Sequence, residues 1–347
     1  MIRHSLAIAF ATLVLVSSQL TGSLAIAGDT LVFEPSAEES NGKHIVLISG
    51  DEEYRSEESC SMLGKILSQH HGFKCTVLFA IDKETGYINP YQNDNIPGTE
   101  ALNTADLCIL ATRWRELPDD QIRPIYDYMQ AGKPFIAYRT ATHAFKSGQF
   151  ADFDWKNFGI QIVGENWHSH HGEHMVQGGR AIRVEANAQH PILQSVEDIY
   201  TPSDIYGVFN VDDQNATVLL RGQILKALDP AAPPIEGEKN DPMVPMAWLR
   251  NYEPQSGKVG QTFGTTAGAS VDFRSEDLRR LIVNAAYFLT GQEILARADV
   301  SFVDPFEPTF YGFVDGETYL ERKLKPEDFG LGKSTSTFPR SRLIFAP

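Results

Sequence analysis

Between residues 44 and 138 the chain alternates short apolar runs with stretches of helical period, and this alternation constrains the fold more than any other feature. His44–Ser49 is continuous, apolar and rich in β-branched residues, and Gly50-Asp51 stops it. Residues 57–70 follow with Met62, Leu63, Ile66 and Leu67 on one face, and Ser56 is placed to cap that helix. His71-Gly72 ends it. Lys74–Ala80 and Leu107–Ala111 read as a second and third strand. Leu117-Pro118-Asp119 opens a helix carrying Ile122, Ile125, Tyr126 and Met129, with Pro124 in its first turns. Gly132 closes it, and Pro134–Tyr138 is a fourth strand. Strands that are apolar throughout are buried on both faces. They predict a parallel sheet covered by helices on each side, with right-handed crossovers. Further strands are expected at Ala181–Glu185, Thr217–Arg221, Val244–Leu249 and Lys258–Thr265. Ser275 then caps a helix that turns Leu278, Leu281, Ile282, Ala285 and Leu289 inward and ends at Gly291.

The flanks read differently. Residues 1–27 look like a signal peptide: Arg3, an apolar run over Leu6–Val16, and the small-x-small signal Ala25-Ile26-Ala27. The run is short for a bilayer span, although an uncleaved anchor is the alternative. An exported, periplasmic or extracellular protein is therefore expected. Residues 28–42 read as a linker and 43–295 as the main domain. Residues 296–347 read as an extended arm. It carries Pro305, Pro308, Pro326 and Pro339 among Phe302, Phe306, Phe310, Tyr311 and Phe313, and would pack on the domain or on a second copy of the chain.

Net charge is −15 and no basic run exceeds two residues, which argues against nucleic acid and anionic membrane surfaces as partners. Small molecules, metal ions or protein remain. Cys75 and Cys108 lie inside apolar strand-like runs. With Cys60 they are expected to be buried and reduced, a Cys75–Cys108 bridge being the alternative.

The densest chemical cluster is His168-Ser-His170-His171-Gly-Glu173-His174, which holds four of the chain's ten histidines. Imidazole and carboxylate suit a divalent metal such as Zn, Mn, Ni or Fe. They equally suit proton transfer or sugar hydrogen bonding, and a solvated polar loop is the plain alternative. Asp51, Glu52, Glu53 and Tyr54 follow the first apolar strand, where ligands bind in open α/β sheets. Glu57 and Glu58 suit the positive end of the next helix, so Glu53 and Tyr54 are expected nearer a site. Trp114, between Arg113 and Arg115, is a stacking platform or a packing residue. His143 is a site residue or a core histidine, and His190 is expected to be structural, against Asp204.

The segments HIVLISGDEEYRSEES (44–59), LATRWRELPDDQ (110–121), FIAYRTATHAF (135–145), ENWHSHHGEH (165–174), HPILQSVEDIYTPSDIYGV (190–208) and QTFGTTAGASVDF (261–273) together resemble the ThuA-like, trehalose-utilisation-type family. That family is similar to the class I glutamine amidotransferases in fold. The resemblance implies a flavodoxin-like three-layer sandwich with a mostly parallel sheet and a site at the strands' carboxyl ends. It implies a role in carbohydrate catabolism on a sugar or 3-keto-glycoside. Arg139 stands where the amidotransferase fold places its nucleophilic cysteine, and Gly268-Ala269 stands where many relatives have Gly-His. Glutamine amidotransferase chemistry is therefore not expected, and Arg139 is free to orient a carbonyl or hydroxyl oxygen.

On this reading His143, Arg139, Glu53 and His174 are the catalytic candidates. Asp51, Tyr54, Arg113, Trp114, Asp204, Tyr206, Ser270 and Asp272 are substrate-binding candidates, and His168, His170, His171, Glu173 and His174 are metal candidates. The expected activity is that of a lyase, isomerase or hydrolase, with a non-catalytic sugar-binding protein as the alternative.

Overall fold

The apolar runs become the parallel centre of a ten-stranded sheet. The computed structural model describes residues 28–146 and 150–338; the expected signal peptide and Pro339 lie outside the described residues. The strands are β1 (Thr30–Phe33), β2 (His44–Gly50), β3 (Lys74–Leu78), β4 (Leu107–Thr112), β5 (Phe135–Tyr138), β6 (Gly179–Arg183), β7 (Tyr200–Thr201), β8 (Thr217–Ile224), β9 (Val244–Tyr252) and β10 (Gly260–Thr265). They lie in the order β1-β3-β2-β4-β5-β10-β9-β8-β6-β7. From β3 to β10 neighbours are parallel, with Ile45 opposite both Cys75 and Leu107. The expected parallel sheet holds for this half. β1 on one edge and β9, β8, β6 and β7 on the other pair antiparallel, so the sheet is mixed. Antiparallel neighbours need no crossover helix, which is why the sequence between residues 179 and 265 shows strands without helices between them.

The helices are α1 (Ser56–Gln69), α2 (Asp119–Gln130), α3 (Glu276–Leu289) and α4 (Gly316–Arg322). Side chains alternate across a strand, so Phe135 and Tyr138 on β5 point to opposite faces. Phe135 meets Tyr128 of α2, at 5.1 Å between ring centres. The Tyr138 hydroxyl is 2.8 Å from Ser59 Oγ of α1. Helices therefore cover both faces.

Three local expectations are revised, and two hold. Ser56 does not cap α1. Arg55 holds the cap position in the left-handed region, with φ 59°. The Ser56 hydroxyl turns back to Ser49 Oγ at 2.8 Å and accepts from the Gly50 amide. Ser275 does cap α3, accepting from the Leu278 amide. Residues 28–42 contain a strand, β1. Residues 297–338 contain a helix, α4. Cys60, Cys75 and Cys108 are all buried and free.

Helix α1 is buried from Ser56 to Ser68, including Glu57, Glu58 and Lys65. Segment 299–338 explains how these charges are tolerated. Lys65 Nζ donates to Asp304 at 2.7 Å and to the Lys333 carbonyl at 2.6 Å. Glu58 accepts from the Thr309 amide, the Thr337 amide and Ser270 Oγ at 2.6–2.8 Å. The Arg55 guanidinium lies 5.3 Å from the Phe338 ring centre and donates to the Gly312 carbonyl. A helix that would otherwise turn a polar face to water is roofed over by chain from the far end of the sequence.

Candidate functional site

Four adjacent parallel strands, β2, β4, β5 and β10, deliver Asp51, Arg113, Arg139 and Thr266 at their carboxyl ends. Asp51 serves the loop itself. It accepts from the amides of Glu53 and Tyr54 and from Thr140 Oγ1, and burial, with Glu52 beside it, pushes it up to about 6. Those bonds aim Glu53 and Tyr54 across the strand ends.

Arg139 is the first residue after β5. Its φ is 48°, the sharp left-handed turn of a strand-end elbow. Its side chain is 1% exposed. The guanidinium lies 3.8 Å from the Tyr206 ring centre and 4.3 Å from that of Tyr54. It donates to the Asp204 carboxylate at 3.0 Å, to the Asp204 carbonyl at 2.6 Å, to the Thr266 carbonyl at 3.0 Å and to the Tyr54 hydroxyl at 3.1 Å. Planarity and a five-donor fork suit arginine to this place.

Asp204 is the hub. A short antiparallel bridge sets His170 beside Tyr206. His170 Nδ1 reaches one Asp204 oxygen at 2.7 Å and His174 Nδ1 the other at 3.0 Å. His174 Nε2 lies 3.3 Å from Glu53. Burial alone would raise Asp204, but Arg139 and the two imidazoles hold it well below the usual carboxylate range. Burial would raise Glu53 too, and His174, Arg139 and Arg113 outweigh it. For His174 burial works the other way; the two carboxylates overcome it and lift the ring to about 9, so it is an imidazolium at neutral pH. An ionised carboxylate only accepts, so His170 Nδ1 must donate to Asp204, and in the neutral ring Nε2 then carries the lone pair. The two imidazole rings are 4.2 Å apart and both side chains are 27% exposed, so a small molecule can reach them.

Aromatic rings enclose this pair. Trp167 lies 5.9 Å from His170, and Tyr311 lies 5.3 Å from His174. His143 sits behind them between Trp114 (4.9 Å) and Trp167 (5.3 Å). Burial, with Arg113 and Arg139, pushes His143 well below its ordinary value, so it is neutral. Trp167 Nε1 is a buried donor with no protein acceptor.

The other sequence candidates disperse. His168 bonds Glu165, which also holds the amides of Phe209 and Asn210. His171 Nε2 pairs with the Lys239 carbonyl, and Glu173 is exposed. Arg113 pairs with Glu52, which also holds Arg115. Ser270 donates to Glu58 and belongs to the packing under α1. Asp272 accepts from Ser203 and from the amides of Gly268 and Ala269, fixing the turn after β10. His190 does not meet Asp204: its Nδ1 accepts from the Ile192 amide and its ring lies on Phe288. Asp204 is already filled by Arg139, His170 and His174. Tyr311 was not among the sequence candidates, because nothing local marks a tyrosine in a proline-rich tail as a neighbour of residue 174.

His170, His174 and Asp204 offer ligand atoms within 4.8 Å of one another, the one such cluster among the described residues. The donor set fits Zn or a similar ion. A cation there would displace both Nδ1 protons and lie beside the Arg139 charge.

The fold and site define an α/β protein with an open mixed sheet, whose ionisable groups gather at the carboxyl ends of the parallel strands. Residues 45–289 match the family model for ThuA, described as trehalose utilisation, and the chain belongs to that family. Among solved structures it is similar to a ThuA-like protein from Parabacteroides merdae, at 15% identity over 73% of this chain and 92% of that one, with a TM-score of 0.49. It is also similar to one from Bacteroides uniformis, at 15% identity over 73% and 93%, with a TM-score of 0.46. No curated protein matches the chain.

Proposed function

We propose that this chain is an exported enzyme of carbohydrate catabolism that removes a proton next to a carbonyl in a sugar or 3-keto-glycoside, the step shared by lyase and isomerase chemistry. The observation that carries this reading is His170, bonded through Nδ1 to an ionised Asp204 and so left with Nε2 as a base. Asp204 orients the ring and stabilises its protonated form. His174, its ring centre 4.2 Å away, bridges Asp204 and Glu53 and holds both carboxylates in place. Trp114 and Trp167, both partly exposed, offer ring faces to the sugar. Arg139 and Asp204 act on the histidines and not on the substrate. The left-handed turn at Arg139 suits the proposed amidotransferase-like, flavodoxin-like fold, with arginine in place of a nucleophile.

His170→Ala is expected to abolish turnover of 3-keto-glycosides while circular dichroism and melting stay near wild type. Undiminished turnover would end this reading. The His170–His174–Asp204 convergence favours one second reading, a divalent metal held by these three residues. Elemental analysis of protein purified without chelator separates the two. Stoichiometric metal that is lost in His170→Ala would replace the base mechanism with metal polarisation of the same carbonyl.

A further inference from the structure

The family match ends at residue 289, yet the site does not. Residues 309–313 return to it from the C-terminal segment. Tyr311 lies against His174 and Tyr54, both at 5.3 Å, stacks on Phe310 at 4.5 Å, and donates to the Pro202 carbonyl at 3.2 Å. The Gly312 amide donates to the Glu53 carbonyl at 2.9 Å, and its own carbonyl accepts from Arg55 at 2.6 Å. Gly312 has φ 129°, in the region that favours glycine, and a Cβ there would lie 2.7 Å from Met175 Cε. The wall is therefore fixed at the same backbone that carries a site carboxylate.

Phe313 comes next, and its surroundings differ. It is 57% exposed, a large apolar ring left in water at the rim. It is held in place: the Arg113 guanidinium lies 5.0 Å from its centre, and Arg113 Nε is 3.8 Å from Glu53, the partner of His174. Two residues of chain reach at most about 7 Å, so Phe313 stands within about one sugar ring of Tyr311. A flat, exposed, anchored aromatic face at that spacing suits the apolar face of a second ring.

We propose that Phe313 is a specificity-determining residue: it forms an outer subsite for the second ring of a disaccharide or other glycoside whose first ring lies at His170 and His174. This rests on the sugar reading of the site. It assigns to this chain's C-terminal segment, outside the family match, the preference for glycosides over single sugars.

The test is binding of trehalose and of glucose, by calorimetry or ligand-observed NMR, to the wild-type full chain, Phe313→Ala, Phe313→Trp and His170→Ala. Phe313→Ala should weaken trehalose about tenfold and leave glucose within about twofold, because an aromatic contact of this kind is worth roughly one decade of affinity. Phe313→Trp should keep trehalose affinity. An unchanged trehalose affinity in Phe313→Ala, or equal losses for both sugars, overturns the subsite while leaving the site standing. Absence of binding to the wild type, or binding that His170→Ala leaves intact, overturns the sugar reading at this place and the subsite with it.

Discussion

At the scale of single residues the site is a charge arrangement built around Asp204. One buried carboxylate is shared by a guanidinium and two imidazoles, and each partner's state depends on the others. The His174 resonance should titrate near 9 in an NMR pH series. A midpoint near the ordinary histidine value would mean that the clamp between Asp204 and Glu53 is not formed. Its sign for stability is fixed. The folded ring holds its proton more tightly than the unfolded one, so its contribution is complete below about 6.5 and is lost as pH rises towards about 9. Asp204→Asn should flatten stability over that window. Arg139→Ala should cost about 3–5 kcal/mol in urea denaturation, because it takes the guanidinium from a buried carboxylate. A loss below about 1 kcal/mol, the scale of an exposed pair, would show that water reaches Asp204.

At the scale of elements, what the sequence made legible was local. The apolar runs placed β2, β3, β4 and β5 within two residues, and Ser275 caps α3 as its sequence position implies. Ser275→Ala should cost about 1 kcal/mol, measured by thermal melting. Gly72 has φ 71°, and a Cβ there would lie 1.9 Å from the Glu39 carbonyl oxygen. Gly72→Ala should therefore cost more than the roughly 1 kcal/mol of unfavourable backbone alone. The missed features share a physical cause: they depend on contacts far apart in sequence. Ser56 looked like a cap because serine commonly caps, but Ser49 claims its hydroxyl. The histidine cluster looked like one ligand set because its members are adjacent. The backbone turns His170 and His174 to Asp204 and sends His168 and His171 elsewhere. Asp204 itself was named among the binding candidates, but its place as the hub is set by folding, not by spacing.

At the scale of the whole molecule, segment 299–338 is structural as well as site-forming. It roofs α1, and the acids it covers carry the cost. Glu57 is fully buried, and burial, with Glu58 beside it, pushes it up to about 7. Its folded form holds a proton that the unfolded chain releases near 4.5. The contribution is present below that value and is lost as pH rises to about 7. Glu57→Gln should remove this slope from a stability–pH series while keeping the Thr337 contact; an unaltered slope would place the effect elsewhere. Deleting the chain after residue 297 should destabilise the rest, since Lys65, Arg55 and Glu58 lose the partners that fix them and α1 loses its cover.

The same segment also sets an order in time. A ribosome that has delivered residue 297 has already delivered Glu53, Arg139, His170, His174 and Asp204, but not Tyr311 or Phe313. Domains form largely as they emerge, so the ionisable groups can meet before the wall that encloses them exists. To the extent that the sheet closes before the segment arrives, the reactive pair forms ahead of the proposed outer subsite. A chain stalled between those two moments would present the histidine pair to water with nothing to choose what it meets.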